Sequence, residues 1–354
     1  MLKVAVAASP AAATDVMVHG AGSTFVAPLM QAWVSSYEKR HPNVALSYDA
    51  VGSGEGVARF ESSASDFGAS DVALAASEAA KIQRGVAQMP LTAGMIVLAY
   101  NLPGVFGELR LPKDVYVDIF LGKIKTWDDP RIRAANPGIA LPSRGIAVVC
   151  RQDSSGTTYA FTDHLAAVSK DWALGPGVGK TIAWPHTTMT ARGNEGVASR
   201  IKISEGAIGY VEYGFALRLN LPMATLENKA GQFVAPTPTT GAAALESTVD
   251  VSLNALDEST VNPSGPNAYP LVTYSWILLY RNYPADKGRA LTAFVNFALE
   301  EGQTYAPFFG YLPLPPKIAG LGKAFVSKLG ASDAPVASSE SAKPAPEKAG
   351  VMAR

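Results

Sequence analysis

One cysteine, Cys150, stands in 354 residues, so the chain can build neither an internal disulfide framework nor a thiolate metal site. Histidine is nearly as scarce. His19, His41, His164 and His186 are the only four, and none pairs with another at the spacing of a helical zinc motif. No metal and no cofactor is expected. Net charge is also missing: 30 Lys+Arg balance 30 Asp+Glu, and only 17% of residues are charged, so nothing marks a nucleic-acid or acidic-membrane partner. No stretch approaches the about 18 uninterrupted apolar residues of a spanning helix. With 48% hydrophobic residues the mature chain is expected to be soluble and globular, and its length suggests two domains at about 150 residues each.

The ends differ from the middle. MLKVAVAASPAAATD has one lysine, a short apolar run from Val4 to Ala8, and small residues at Ala11-Ala12-Ala13. This is the pattern of the tail of a secretory signal cleaved near Ala13, so residues 1–13 are expected to be a signal remnant on an exported chain. An ordinary N-terminal segment is the alternative. With no cysteine near the start, a lipid anchor is not expected. Residues 331–354 are dominated by Ala, Ser and Pro and are expected to form a disordered tail.

Between the ends one pattern occurs three times. Val16 to Val18 is β-prone, Gly20-Ala21-Gly22-Ser23-Thr24 follows, and Phe25, Leu29, Met30, Trp33 and Tyr37 then repeat at near-helical spacing, with Pro28 in the first turn. Val44, Leu46, Tyr48 and Ala50 alternate as a strand, Gly52-Ser53-Gly54-Glu55-Gly56 makes a turn, and Val57 to Phe60 begins a helix. Ile146 to Cys150 is a buried-type strand, Arg151 to Thr157 is its loop, and Thr158, Phe161 and Leu165 mark a helical face. Such loops suit anions. A helix N-terminus presents unpaired N–H groups and a partial positive charge, glycine permits close backbone approach, and Ser or Thr hydroxyls add donors. A single loop of this kind is more often a plain capped connection; three in one neutral chain argue for a ligand.

Two charged residues carry most of the chemistry. Arg151 offers a planar fork matched to two oxygens of a phosphate-like anion, oriented by Asp153, or else forms a surface ion pair with it. Asp71, ending Asp66-Phe67-Gly68-Ala69-Ser70-Asp71, reads locally as a cap for a helix around Ala75 to Lys81. Facing an anion, it would make sense only for a protonated one, because an ionised carboxylate can only accept. Gly175 to Thr181 imitates a nucleotide P-loop, but the required first glycine is Leu174, so this is expected to be a plain loop.

GAGSTFVAPLMQAW (20 to 33), VGSGEG, DFGASD, LGKIKTWDDP (121 to 130), RQDSSGTTYAFTDHL and GAIGYVEY (206 to 213) together resemble the periplasmic phosphate-binding proteins (PstS family) of Pst-type phosphate ABC transporters. The similarity runs from about Gly20 to about Leu314. It implies an α/β fold of the type II periplasmic binding protein kind, two α/β lobes joined by two crossovers with ligand in the interlobe cleft. The lobes would be residues 14–93 plus 270–330 and residues 94–269. It further implies that phosphate is held by Thr24, Phe25, Ser53, Asp71, Arg151, Ser155, Gly156 and Thr157, with Asp153 supporting the arginine. GSGEG in place of the commoner GSSGG, Ser154 in place of a frequent glycine, and Cys150 before the arginine depart from the family pattern, and Glu55 adds a carboxylate near the pocket mouth.

The expected function is high-affinity binding of inorganic phosphate in the periplasm and its delivery to inner-membrane ABC permease subunits, by a monomer that is not an enzyme. Arsenate remains an alternative ligand. A phosphate-ester hydrolase using Ser155 or Thr157 with His19 nearby, and a secreted adhesin or sensor without a permease, remain alternative functions.

Overall fold

Residues 16–184, 187–249 and 260–330 are described by this computed structural model; the expected signal remnant and the expected C-terminal tail lie outside them. The described strands in chain order are β1 Val16–Gly22, β2 Val44–Ala50, β3 Phe67–Ser70, β4 Val86–Tyr100, β5 Arg110–Leu111, β6 Ala147–Arg151, β7 Met189–Ala191, β8 Ala207–Glu212, β9 Thr225–Glu227, β10 Phe233–Val234 and β11 Val272–Tyr280. Eight of them form one mixed sheet in the order β2-β1-β3-β11-β4-β8-β6-β7, and β10-β9-β5 make a small second sheet. The α/β expectation is met.

Parallel pairing dominates both ends of the large sheet: β1 pairs β2 and β3 parallel, and β6 pairs β7 and β8 parallel. Helices connect these strands, as parallel neighbours require. The middle is antiparallel and runs through one long strand. β4 pairs β11 over Val86 to Met95 and then changes partner, pairing β8 from Ile96 to Tyr100. It is buried over nearly its whole length, and so is β11, which is why both are mostly apolar without a regular alternation. Pro90 sits inside β4, where proline removes a ladder donor. The ladder adapts with a bulge: Trp276 faces Pro90 while Ser275 faces Thr92, leaving Leu91 between, and Gln303 Nε2 donates to the Leu91 carbonyl at 2.9 Å.

All three strand–loop–helix units are present. The first helix, Ala27–Glu38, buries Leu29, Met30, Trp33 and Tyr37, and Trp33 Nε1 donates to the Gly302 carbonyl at 2.7 Å. The second helix begins earlier than its apolar pattern implies. It spans Ser53–Glu61, so the GSGEG run is its first turn rather than a separate turn before it; Gly52, at φ 95°, makes the reversal from β2. The third helix is Gly156–Val168. The helix that follows Asp71 in the chain is the short Ala76–Ala79, entered through Ala75, whose N–H donates to Glu78 Oε2 at 3.0 Å. The expectation that Asp71 caps this helix is therefore wrong. The P-loop imitation at 175–181 is an irregular connection, as expected, with Leu174 largely exposed.

Candidate functional site

The loops after β1, β3 and β6 and the first turn of Ser53–Glu61 converge on Asp71, which is 2% exposed. Ser23 Oγ donates to Asp71 Oδ1 at 2.5 Å and Ser275 Oγ donates to the same oxygen at 3.1 Å. Thr157 Oγ1, arriving from the third helix, donates to Oδ2 at 3.3 Å. The Asp71 backbone is held as well: its N–H donates to Ser53 Oγ at 3.4 Å and its carbonyl accepts from Thr273 Oγ1 at 2.8 Å. Burial pushes the Asp71 carboxyl up to about 6, while the Ser23 bond, the Arg151 charge, Ser275 and Thr157 pull it back. At neutral pH it is mostly ionised and can only accept.

Facing it is the Arg151 loop. The Arg151 side chain is 2% exposed, and its Nε and Nη2 donate to the two carboxylate oxygens of Asp153 at 2.8 and 2.5 Å. This is a buried fork pair, so the surface-pair alternative falls. The Gly193 N–H also donates to Asp153 Oδ1, at 3.0 Å. Burial alone would raise the Asp153 carboxyl, but Arg151's bonds and charge more than offset it and hold it below its usual range. The remaining Nη1 reaches Thr157 Oγ1 at 3.4 Å. Beneath the loop the Arg151 N–H donates to Tyr210 Oη at 3.1 Å, and Tyr210 Oη shares a 2.7 Å bond with Thr158 Oγ1.

The remaining expected residues fall in or against this cluster. Ser155 is fully buried and caps the third helix, accepting from the Thr158 N–H at 3.1 Å. Gly156 is the point where the two walls touch: a Cβ there would lie 2.6 Å from Ser53 Oγ and 2.8 Å from Asp71 N, closer than any side chain tolerates. Phe25 is fully buried, its N–H donating to Ser23 Oγ at 2.9 Å and its carbonyl accepting from Tyr311 Oη at 2.6 Å. Thr24 is half-buried at the edge, its Oγ1 accepting from Asn194. A cavity of about 1080 Å³ adjoins the cluster at Thr24, Asp153 and Ser154. Glu55 lines its mouth, but Arg59 Nε donates to it at 2.9 Å, so its charge is paired.

Asn194, Thr273, Ser275 and Tyr210 lie outside the loops singled out from the sequence. Asn194 follows Gly193 in another short strand–glycine–helix unit, β7 to Gly193–Ile203, with Gly193 at φ 65°; the signal that marked the other loops was available there. Thr273 and Ser275 lie on the fully buried β11, and Tyr210 on β8, where no local pattern separates them from core.

Such a cluster offers a buried anion a guanidinium, several hydroxyls, the N–H groups of helix starts, and one carboxylate, Asp71, that is not paired with a cation. A model of the PBP superfamily domain matches residues 6–301. A protein of Xylella fastidiosa named phosphate-binding protein PstS is 39% identical over 308 residues, covering 86% of this chain and 83% of that one. The chain belongs to the PstS family of phosphate-binding proteins. Solved structures with the type II binding-protein fold agree in architecture. A high-affinity periplasmic phosphate-binding protein (PfluDING) bound with phosphate superposes with a TM-score of 0.71 at 21% identity, covering 87% of this chain and 93% of that one. An ABC-type phosphate transport receptor from Vibrio cholerae gives 0.55 at 20% identity, covering 84% and 100%. The PstS resemblance noted in the sequence motifs thus holds over most of the chain.

Proposed function

We propose that this chain binds inorganic phosphate at the Asp71–Arg151 cluster and delivers it to an inner-membrane ABC permease. The carrying observation is the pairing of one buried acceptor, Asp71, with a wall made otherwise of donors. Phosphate near neutral pH keeps at least one proton, which an ionised carboxylate can accept. Sulfate keeps none, and would set an oxygen lone pair against the buried Asp71 carboxylate. Arg151, Thr157, Gly156 and Ser155 would bind from one side, and Thr24, Phe25 and Ser53 from the other. Arsenate, of the same shape and protonation, fits the same pattern.

The partner change within β4, between Met95 and Ile96, supports a two-lobe reading, divided into residues 14–93 plus 270–330 and residues 94–269, with Asp71 in one lobe and Arg151 in the other. Ligand contacting both would then favour closure, because only the closed form supplies both sets of groups. The reading is of a receptor, not an enzyme. Ser155 Oγ is engaged as a helix cap and Thr157 Oγ1 donates to Asp71, while His19 Nδ1 bonds Ser47 and His164 Nε2 bonds Tyr116 rather than either hydroxyl. No helix among the described residues is long and apolar enough to cross a membrane; a periplasmic location, as a monomer, completes the proposal.

Calorimetric titration of protein stripped of bound anion by unfolding and refolding tests it. Tight one-to-one phosphate binding without sulfate heat is the expected outcome. No phosphate binding by well-folded protein would remove the reading.

A further inference from the structure

Asn194 is 1% exposed, in the first turn of the helix Gly193–Ile203. Its carboxamide has only one orientation consistent with its neighbours. The Glu212 backbone N–H, which can only donate, lies 3.0 Å from Oδ1. Nδ2 therefore faces the other way, donating to Thr24 Oγ1 at 3.1 Å and Thr157 Oγ1 at 3.2 Å. A hydroxyl oxygen has two lone pairs and one proton. Thr24 Oγ1 also receives the Asn194 backbone N–H at 3.1 Å, so its accepting capacity is filled by this one residue. Thr157 Oγ1 receives Arg151 Nη1 at 3.4 Å beside Asn194 Nδ2, and its accepting capacity is filled too. Each hydroxyl is left with a proton to give and nothing with which to accept. Thr157 gives its proton to Asp71.

We propose that Asn194 is a positioning residue for anion binding: by donating to Thr24 and Thr157 it leaves each hydroxyl only a proton to give, Thr24 toward the ligand and Thr157 to Asp71 until a ligand oxygen takes that proton, and it ties the Thr24 loop to the Arg151 loop. The proposal rests on the phosphate-binding reading. It explains how threonine, which can accept as readily as donate, is kept from doing so beside the carboxylate that must read the ligand's proton. Glu212 N–H is the fixed reference that sets the polarity of the whole chain of bonds.

The test compares Asn194→Ala with Asn194→Asp in phosphate titrations across pH. N194A frees the hydroxyls to turn, and phosphate affinity should fall about tenfold or more, the effect of one or two hydrogen bonds. N194D keeps an oxygen for the Glu212 N–H but presents an acceptor to both threonines, which then spend their protons on it. It should bind at least about tenfold more weakly than N194A near about pH 8, with the gap closing toward about pH 5 as the introduced carboxyl takes a proton. Phosphate titration is common to both variants, and a Thr24→Val background separates spent hydroxyl protons from simple repulsion between the introduced carboxylate and the anion. A purely structural role would move both variants together at every pH, and that result, or wild-type affinity in both, overturns the proposal.

Thr24→Val gives a second route if N194A folds poorly. Acting through Thr24, N194D should cost less in the T24V background than alone; an undiminished cost contradicts the proposal. Failure of the phosphate reading itself would be visible separately, as absence of binding by the unmodified protein, and would remove the proposal with it.

Discussion

Asp71 and Asp153 are both buried carboxylates in the same cluster, and their surroundings treat them in opposite ways. Asp71 is met by hydroxyls from Ser23, Ser275 and Thr157, and burial wins, raising its carboxyl to about 6. Asp153 is met by the two-pronged Arg151 fork and the Gly193 N–H, and the charge wins, lowering it. A neutral donor shell leaves a carboxylate with unspent capacity to accept; a guanidinium takes that capacity up. Asp71 is thus available to a ligand proton, while Asp153 serves to aim Arg151.

The largest effect in this comparison should come from Arg151→Met. It removes the cation that would meet the anion, a buried charge-assisted contact whose loss costs about 2–5 kcal/mol of binding, so phosphate affinity should fall by about two to four decades in calorimetry. Asp71→Asn should be milder on affinity, about tenfold to a hundredfold, but should change selectivity: an amide can donate to sulfate, so sulfate should begin to compete with phosphate. The same variant should stabilise the ligand-free protein at neutral pH. Asp71 holds its proton to about 6 when folded and to the usual 3.8 when unfolded. Folded protein binds more protons across that window, so stability falls as pH rises through it, by an amount on the order of 3 kcal/mol at about 1.4 kcal/mol per pKa step. D71N escapes this loss, and its melting temperature should exceed wild type at neutral pH with the difference vanishing in acid.

Asp153→Asn should be the smallest of the three on binding, roughly tenfold, because Arg151 remains but loses its aim. The phosphate-to-sulfate ratio should stay that of wild type, which separates it from D71N. Its stability signature is also reversed. A lowered carboxyl stabilises the fold above its ordinary range and loses that contribution as pH falls, so D153N should be less stable than wild type at neutral pH and converge with it in acid. Equal selectivity changes in D71N and D153N would erase the distinction between the two carboxylates.

Much of this arrangement is legible in the sequence because it is local. A strand, a glycine-rich turn and a hydroxyl-capped helix are neighbours in the chain, so Thr24, Ser53 and the Arg151 to Thr157 run stand out with their geometry attached. Asp71 reads locally as a helix cap, and only the family motif DFGASD assigns it to the ligand; the convergence of Ser23, Ser275 and Thr157 on its carboxylate removes the cap reading. Ser275 and Thr273 are illegible for a different reason. On a strand buried on both faces there is no alternation to mark which polar residue turns toward the site. The reach of β4 back to Val86 was hidden by Pro90, since proline argues against a central strand unless a bulge receives it. Asn194 was within reach, its strand of three residues being too short to draw notice.

A crystal structure of the phosphate-loaded protein tests the central claim most directly. The account predicts one phosphate between the two loops, with one of its oxygens about 2.5–2.7 Å from an Asp71 carboxylate oxygen, the distance of an O–H donating to an ionised acceptor, and others on Arg151 and Thr157. Phosphate seated instead in the open cavity beside Arg59 and Arg192, with Asp71 still bonded only to Ser23, Ser275 and Thr157, would contradict it.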